Sequence, residues 1–307
     1  MIIIGCKKKE NGSIPVVITT DISHIAITSA QCGGSITDNG GSEVTASGVC
    51  WSIVQTPTIE DYKSTDNTIS GSFTSSITSL AANSTYFVRA YATNSAGTAY
   101  GDVKSFTTYR FDAVSDCEGN YYNVVTIGTQ VWMAENLKTT HYCNGDPIPE
   151  VTDSAQWYNQ STGAYCNYAN NANIAATYGR LYNWYAVTDN RGLVPVGWHV
   201  PTENDLNTLK TFLGINTAGG KLKEAGTVHW MSPNTGATNE SGFTALPGGD
   251  RQWPYAFGSL GTYGNWWTST EFDLSSGIWL YIHHTSTVMS GGPNYKVSGF
   301  SVRCIKD

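Results

Sequence analysis

Charge is what this chain has least of. Asp, Glu, Lys and Arg together make up 13% of its 307 residues, about half the share in an ordinary soluble protein. Lys and Arg number 17 against 24 Asp and Glu, a net charge of −7. A nucleic-acid partner is excluded on that balance, because phosphates demand a basic face. No apolar run approaches the roughly 18 residues needed to span a bilayer as a helix. No Cys-x-x-Cys occurs and no Cys/His cluster has zinc-ligand spacing, so no metal site is expected. What is plentiful is Gly (32), Tyr (18) and Trp (10), among many Ser, Thr and Asn. Such a surface is polar but uncharged, and turn residues recur every few positions. The composition is that of an exported, loop-rich chain, mainly β with some α.

Met1-Ile-Ile-Ile-Gly-Cys6 precedes Lys7, Lys8, Lys9 and Glu10. Apolar residues, a small residue and then Cys resemble the end of a bacterial lipoprotein signal, with Cys6 as the lipidated residue. The five residues before Cys6 are shorter than the apolar region of a signal peptide, so the reading places the natural start upstream. Residues 1–13 are then a signal remnant and linker, and the membrane is reached through a lipid anchor only. Seven cysteines less Cys6 leave an even set. In the exported setting these are expected to pair. Cys32–Cys50 lie together near the N-terminus. The other four allow three pairings, of which the reading taken is Cys143–Cys166, flanking a polar loop, with Cys117–Cys304.

Residues 14–108 read as short strands between turn signals. Val16–Thr19, His24–Thr28 and Val44–Trp51 are β-rich, with Gly33-Gly34 and Asp38–Gly41 as punctuation. Tyr86, Val88, Ala90 and Ala92 share one face of a strand. Leu80 with Tyr86 resembles the tyrosine corner of β-sandwiches. With the Asn94–Gly97 turn and the closing strand at Phe106, the segment resembles a fibronectin type III domain. The resemblance implies a spacer or a recognition module, and no residue here suggests chemistry.

From residue 112 onward the sequence changes character. Glu118-Gly-Asn120 and Gly128-Thr-Gln130 are hairpin turns. Leu181, Trp184, Tyr185 and Val187 are bulky enough that each favours burial by roughly 1.5–3 kcal/mol, so the segment belongs in a core. Thr202-Glu-Asn-Asp205 opens a helix with a capping-box start, Leu206, Leu209, Phe212 and Leu213 follow at helical spacing, and Gly214 stops it. Residues 230–264 are rich in Asn, Gly, Ser and Pro and read as a long irregular loop. His283 and His284 alternate on a strand, so their rings are expected on opposite faces.

Six motifs in order carry a resemblance: Trp132-Met-Ala-Glu-Asn-Leu137, Gly179-Arg-Leu-Tyr-Asn-Trp-Tyr185, Gly197-Trp-His-Val-Pro201, Gly242-Phe-Thr-Ala-Leu-Pro-Gly-Gly249, Trp266-Trp-Thr-Ser-Thr270 and Ser301-Val-Arg-Cys304. Across residues 112–307 the chain resembles the Fibrobacter succinogenes major paralogous domain family, common in surface lipoproteins of Bacteroidetes. The resemblance implies a C-type-lectin-like α+β fold with its N- and C-terminal strands side by side, which suits Cys117–Cys304. Members often carry a Cys before Gly-Trp-His-Val-Pro, where this chain has Leu193-Val-Pro-Val196. In such folds the long loop presents the ligand surface, here about residues 231–263. Trp253, Tyr255, Phe257 and Tyr263, with Asp250 and Arg251, are therefore the expected ligand-binding residues, and a glycan or surface protein is the expected partner. No cofactor is expected. Calcium is the only ion for which the loop offers hard oxygens, on Asn234, Asn239, Glu240 and Asp250. The expected activity is non-enzymatic binding at the cell surface or outer membrane. A polysaccharide hydrolase built on Glu240, Asp250, Glu271 or Asp273, and a structural part of a surface assembly, are the alternatives.

Overall fold

The computed structural model describes residues 12–252 and 256–307. The chain divides between Phe111 and Asp112 into two compact units. The lipidation reading at Cys6 lies outside the described residues.

The first unit is a β-sandwich. One sheet holds β1 (Val16–Thr19), β2 (Ala30–Asp38) and β5 (Gly71–Ile77) in the order β1-β2-β5. The other runs β4 (Tyr62–Lys63), β3 (Ala46–Ser52), β6 (Thr85–Asn94) and β7 (Gly97–Tyr100), with β8 (Lys104–Thr107) also on β6. Since β7 and β8 follow one another along the same strand β6, they act as one broken strand, and the three-plus-four pairing is the fibronectin type III arrangement. Alternate residues of β5 are buried, as a one-sided strand requires. Val17, Ile36, Val49, Trp51, Phe73, Val88 and Phe106 meet between the sheets. The tyrosine corner is present: Ala81 N donates to Tyr86 Oη at 3.0 Å, over a buried Leu80.

Two expectations fail here for steric reasons. Gly33-Gly34 is no turn but the middle of β2, where a Cβ on Gly33 would stand 2.0 Å from Phe73 O. His24–Thr28 is not a strand, since His24 turns the backbone to φ 49 and Ile25 packs onto the core from an irregular segment. The Cys32–Cys50 disulfide is absent. Cys32 faces the sandwich interior. Cys50 alternates with Val49 and Trp51 and therefore points to the other side of its sheet, where its Sγ donates to Pro57 O at 3.5 Å.

The second unit opens with β9 (Val114–Ser115), β10 (Tyr121–Tyr122), β11 (Val124–Ile127) and β12 (Gln130–Met133). Next come α1 (Ser154–Tyr158), β13 (Tyr165–Cys166), α2 (Ala172–Tyr178), β14 (Leu181–Tyr182), α3 (Trp184–Val187), β15 (Trp198–His199), α4 (Glu203–Leu213) and α5 (Ala218–Leu222). It closes with β16 (Gly248–Gln252), β17 (Ala256–Leu260), β18 (Tyr263–Glu271), β19 (Ser276–His283), β20 (Met289–Tyr295) and β21 (Ile305–Lys306). One sheet runs β11-β12-β21-β15 and another β18-β19-β20. β21 pairs with β12, and Met133 N and Leu137 N donate to Cys304 O and Val302 O at 3.0 and 2.8 Å. The two ends of the unit therefore lie side by side.

Thr202 caps α4 with a full capping box to Asp205, as its spacing requires. Residues expected to form one irregular loop contain instead the β16–β17 hairpin. Four of the six motifs converge on one buried point. Asn136 Oδ1 accepts from Trp266 Nε1 at 2.8 Å and from Arg303 Nη2 at 2.8 Å, while Arg303 lies 4.1 Å over the Phe243 ring and donates to Phe243 O. The disulfides Cys143–Cys166 and Cys117–Cys304 are also absent. Cys166 and Cys304 are sealed in separate core clusters, whereas Cys117 and Cys143 are exposed.

Candidate functional site

The expected ligand residues are placed mostly inward. Arg251 is wholly buried. Its Nη1 donates to Val151 O at 2.7 Å, its Nη2 donates to Thr152 O at 2.9 Å, and its guanidinium stacks between Trp157 and Phe257 at 4.8 Å from each ring. Asp250 is buried too and accepts from Asn265 Nδ2 at 3.1 Å; burial pushes its carboxyl up. The expectation that this Asp-Arg pair faces a ligand is thus corrected: both side chains hold the hairpin to the body. Phe257 is half-buried against Tyr168, and Tyr263 packs on His283 and Tyr281. Trp253 and Tyr255 lie outside the described residues.

The acids considered for calcium or catalysis are already engaged. Glu240 pairs with Lys221 at 2.9 Å, Glu271 with Lys296, and Asp273 caps the turn at Ser275. Asn239 Oδ1 accepts from Thr244 N at 2.8 Å, and Asn234 Nδ2 donates to Glu224 O and Gly226 O. The His283 and His284 rings meet at 4.5 Å, because His284 lies just past the end of β19 where alternation stops.

This part of the loop is organised around a cation of its own. Lys223 is fully buried, and its Nζ donates to Thr235 O, Ser286 O and His283 O at 2.9, 2.9 and 3.3 Å, 5.5 Å from the Trp230 ring centre. Burial pulls this amine from 10.5 to about 8. The unfolded chain keeps the proton up to its ordinary value, so between those limits it binds more protons than the native state. Stability therefore rises with pH across that window. Urea unfolding at pH 8 and 9.5 is expected to show wild type gaining about 1–2 kcal/mol more than Lys223→Met. Equal gains in the two proteins would contradict it.

An open cleft lies elsewhere on this unit. It encloses about 820 Å³ and is lined by Tyr158, Asn159, Gln160, Tyr185, Leu274, Ser275, Tyr295 and Val297. Tyr158 and Tyr295 are 52% and 61% exposed, large apolar faces that the fold leaves in water. A second depression of about 450 Å³ adjoins it through Tyr295 and brings Gln252, Phe272, Asp273 and Asn294 to the same surface. Each wall has an identifiable support. Asp153 caps α1 through Gln156 N, and α1 delivers Tyr158 at its last turn. Trp157 in the same helix is buried and donates from Nε1 to Val297 O at 2.6 Å, tying α1 to the far wall. Trp184 Nε1 donates to Thr268 O at 3.0 Å, which orients α3 and its half-buried Tyr185. Lys296 is nearly buried, sits 4.6 Å from the Trp184 ring and donates to Glu271 and to Leu274 O, pinning the turn that carries Leu274. Along the second depression, Asn294 Nδ2 donates to Gln252 Oε1 at 3.0 Å and Asn294 Oδ1 accepts from Ser298 Oγ at 2.8 Å. The backbone amide and hydroxyl of Ser275 hold the Asp273 carboxyl below its usual range.

The cleft thus offers tyrosine faces, side-chain amides and one carboxylate on supports that packing has already locked. Sequence reading missed Tyr158 and Tyr295, and assigned Tyr185 to the core. Tyr185 differs from its neighbours Trp184 and Ala186, which are buried. The one usable signal was local: a tyrosine next to a buried tryptophan on a short helix, at Trp157-Tyr158 and again at Trp184-Tyr185.

A model of the Fibrobacter succinogenes major domain matches residues 125–306. No curated protein matches the chain. Among solved structures, the chain is similar to the sensor domain of the anti-sigma factor RsgI4 in Pseudobacteroides cellulosolvens. That match has 16% identity and a TM-score of 0.25, covering 32% of this chain and 98% of the other. It is also similar to the third fibronectin III domain of human KIAA0343 protein, at 12% identity and a TM-score of 0.24, covering 37% and 98%. The fibronectin type-III domain of human fibronectin type III domain containing protein 3 is similar at 17% identity and a TM-score of 0.25, covering 34% and 94%.

Proposed function

This chain belongs to the Fibrobacter succinogenes major domain family, whose model matches residues 125–306, and from that premise we propose that it is a non-enzymatic surface lipoprotein whose C-terminal unit binds a glycan. In this reading Cys6 carries the lipid at the outer membrane or cell surface and the sandwich acts as spacer. The observation that carries the binding role is the cleft of Tyr158, Tyr185 and Tyr295 beside Asn159 and Gln160. Sugar rings present apolar C–H faces edged by hydroxyls. Tyrosine faces cover the former, and amides exchange hydrogen bonds with the latter. A low surface charge suits a neutral ligand. Among the described residues no helix is long and apolar enough to cross a membrane.

A glycan array with the full chain identifies the ligand, and calorimetry then compares variants. Tyr295→Ala and Tyr158→Ala are each expected to weaken binding about tenfold or more, whereas Phe257→Ala leaves it within about twofold. Binding by no glycan would transfer the cleft to a protein ligand. Turnover of a polysaccharide that survives both Tyr substitutions would support the hydrolase instead.

A further inference from the structure

Six cysteines fall within the described residues, and the fold sorts them sharply. Cys32, Cys50, Cys166 and Cys304 are buried, and burial pushes each thiol up, Cys50 to about 11 and Cys166 to about 12. A thiol kept protonated and sealed from solvent neither attacks nor is attacked. The two exposed cysteines, Cys117 and Cys143, are neighbours. Cys117 Sγ donates to His141 O and Tyr142 O at 3.7 and 3.6 Å, the two carbonyls leading into Cys143. Burial pushes the Cys143 thiol up, and the Cys117 thiol beside it adds to the rise.

Both backbones are held in place. Cys117 sits in the turn where Asp116 Oδ1 accepts from Glu118 N and Asn120 N, each at 3.0 Å. Cys143 N donates to Gly192 O at 2.7 Å. Glu118 bridges the two turns by accepting from Thr140 N at 2.9 Å and pairing with His141. Cys117 Sγ already stands against the backbone that leads into Cys143, so rotation of the two side chains is the movement that joining them calls on.

We infer that Cys117 and Cys143 are this protein's oxidation site, a dithiol that closes to a disulfide across the opening of the C-terminal unit. The co-reactant is a small-molecule disulfide. One cysteine thiolate attacks it and releases one thiol, giving a mixed disulfide. The other cysteine then attacks the protein-bound sulfur and releases the second thiol. Two protons and two electrons pass from the cysteine pair to the reagent, which leaves as two thiols. The inference is independent of what the cleft binds.

The test uses the native full chain, oxidised glutathione, alkylation with N-ethylmaleimide under unfolding conditions, and tryptic digestion without reduction. The expected product joins the peptide ending at Lys138 to the one beginning at Thr139, with N-ethylmaleimide on Cys166 of the latter, and is about 2 Da lighter than those two peptides with that single adduct and both other thiols free; fragmentation locates the link at Cys117 and Cys143. Cys143→Ser is expected to stop at the intermediate, leaving glutathione on Cys117. Alkylation of both cysteines after oxidation, a link to Cys166 or Cys304, or a Cys143→Ser chain without adduct would overturn the pairing.

Discussion

Arg303→Ala is expected to cost the C-terminal unit about 3–5 kcal/mol. Arg303 is 2% exposed. Its Nε and Nη2 donate to Asn136 Oδ1 at 3.0 and 2.8 Å, its Nη1 donates to Phe243 O, and its face lies against Phe243 and Trp266. Truncation leaves a buried carbonyl without its donor and opens a cavity among two aromatic rings. Arg303→Lys keeps the charge but loses the planar fork that serves Asn136 and Phe243 together, so it is expected to recover less than half of the loss. Guanidinium unfolding of the three proteins measures this. Similar midpoints for wild type and Arg303→Ala would show that the motif junction holds together without its cation.

Trp157→Ala follows closely, with an expected loss of about 3–5 kcal/mol. The ring is fully buried, stacks under Arg251 and donates to Val297 O. Its effect reaches further than stability, because α1 also carries Tyr158 and Val297 forms the opposite wall of the cleft. Ligand binding measured on the folded fraction is therefore expected to fall as well. Trp157→Phe keeps most of the packing and removes the hydrogen bond, so it should cost about 1–2 kcal/mol with binding partly kept. If Trp157→Ala loses stability but binds like wild type once folded, the cleft does not depend on this support.

Features that depend on neighbours in the chain were legible before any coordinates. The Thr202–Asp205 capping box, the α4 register of Leu206, Leu209 and Leu213, and the Tyr86 corner each need only a few consecutive residues, and each is present, whereas Phe212, read with those leucines, is exposed. Leu181, Trp184 and Val187 are buried as their size demands. Features set by distant partners were not legible. Gly33-Gly34 carries a turn signal, yet it lies within a strand because Phe73 of the neighbouring strand leaves room there for glycine alone. Arg251 and Asp250 look like surface charges, and only the carbonyls of Val151 and Thr152 and the amide of Asn265 make their burial tolerable. Cysteine spacing could not give the pairing, because separation along the chain does not report which face of a sheet or which cluster each thiol enters.

The sequence by itself determined the division of labour between a one-sided β-sandwich and an aromatic-rich α+β unit, because periodicity and bulk decide which residues must leave water. It also determined the six motifs of the second unit. Only the tertiary structure decided that four of these motifs meet at Asn136 and Arg303. It alone set Tyr158, Tyr185 and Tyr295 around one cleft, and Cys117 beside Cys143. Those are meetings between residues far apart in the chain, and their geometry comes from how helices and sheets pack, which local preference does not encode.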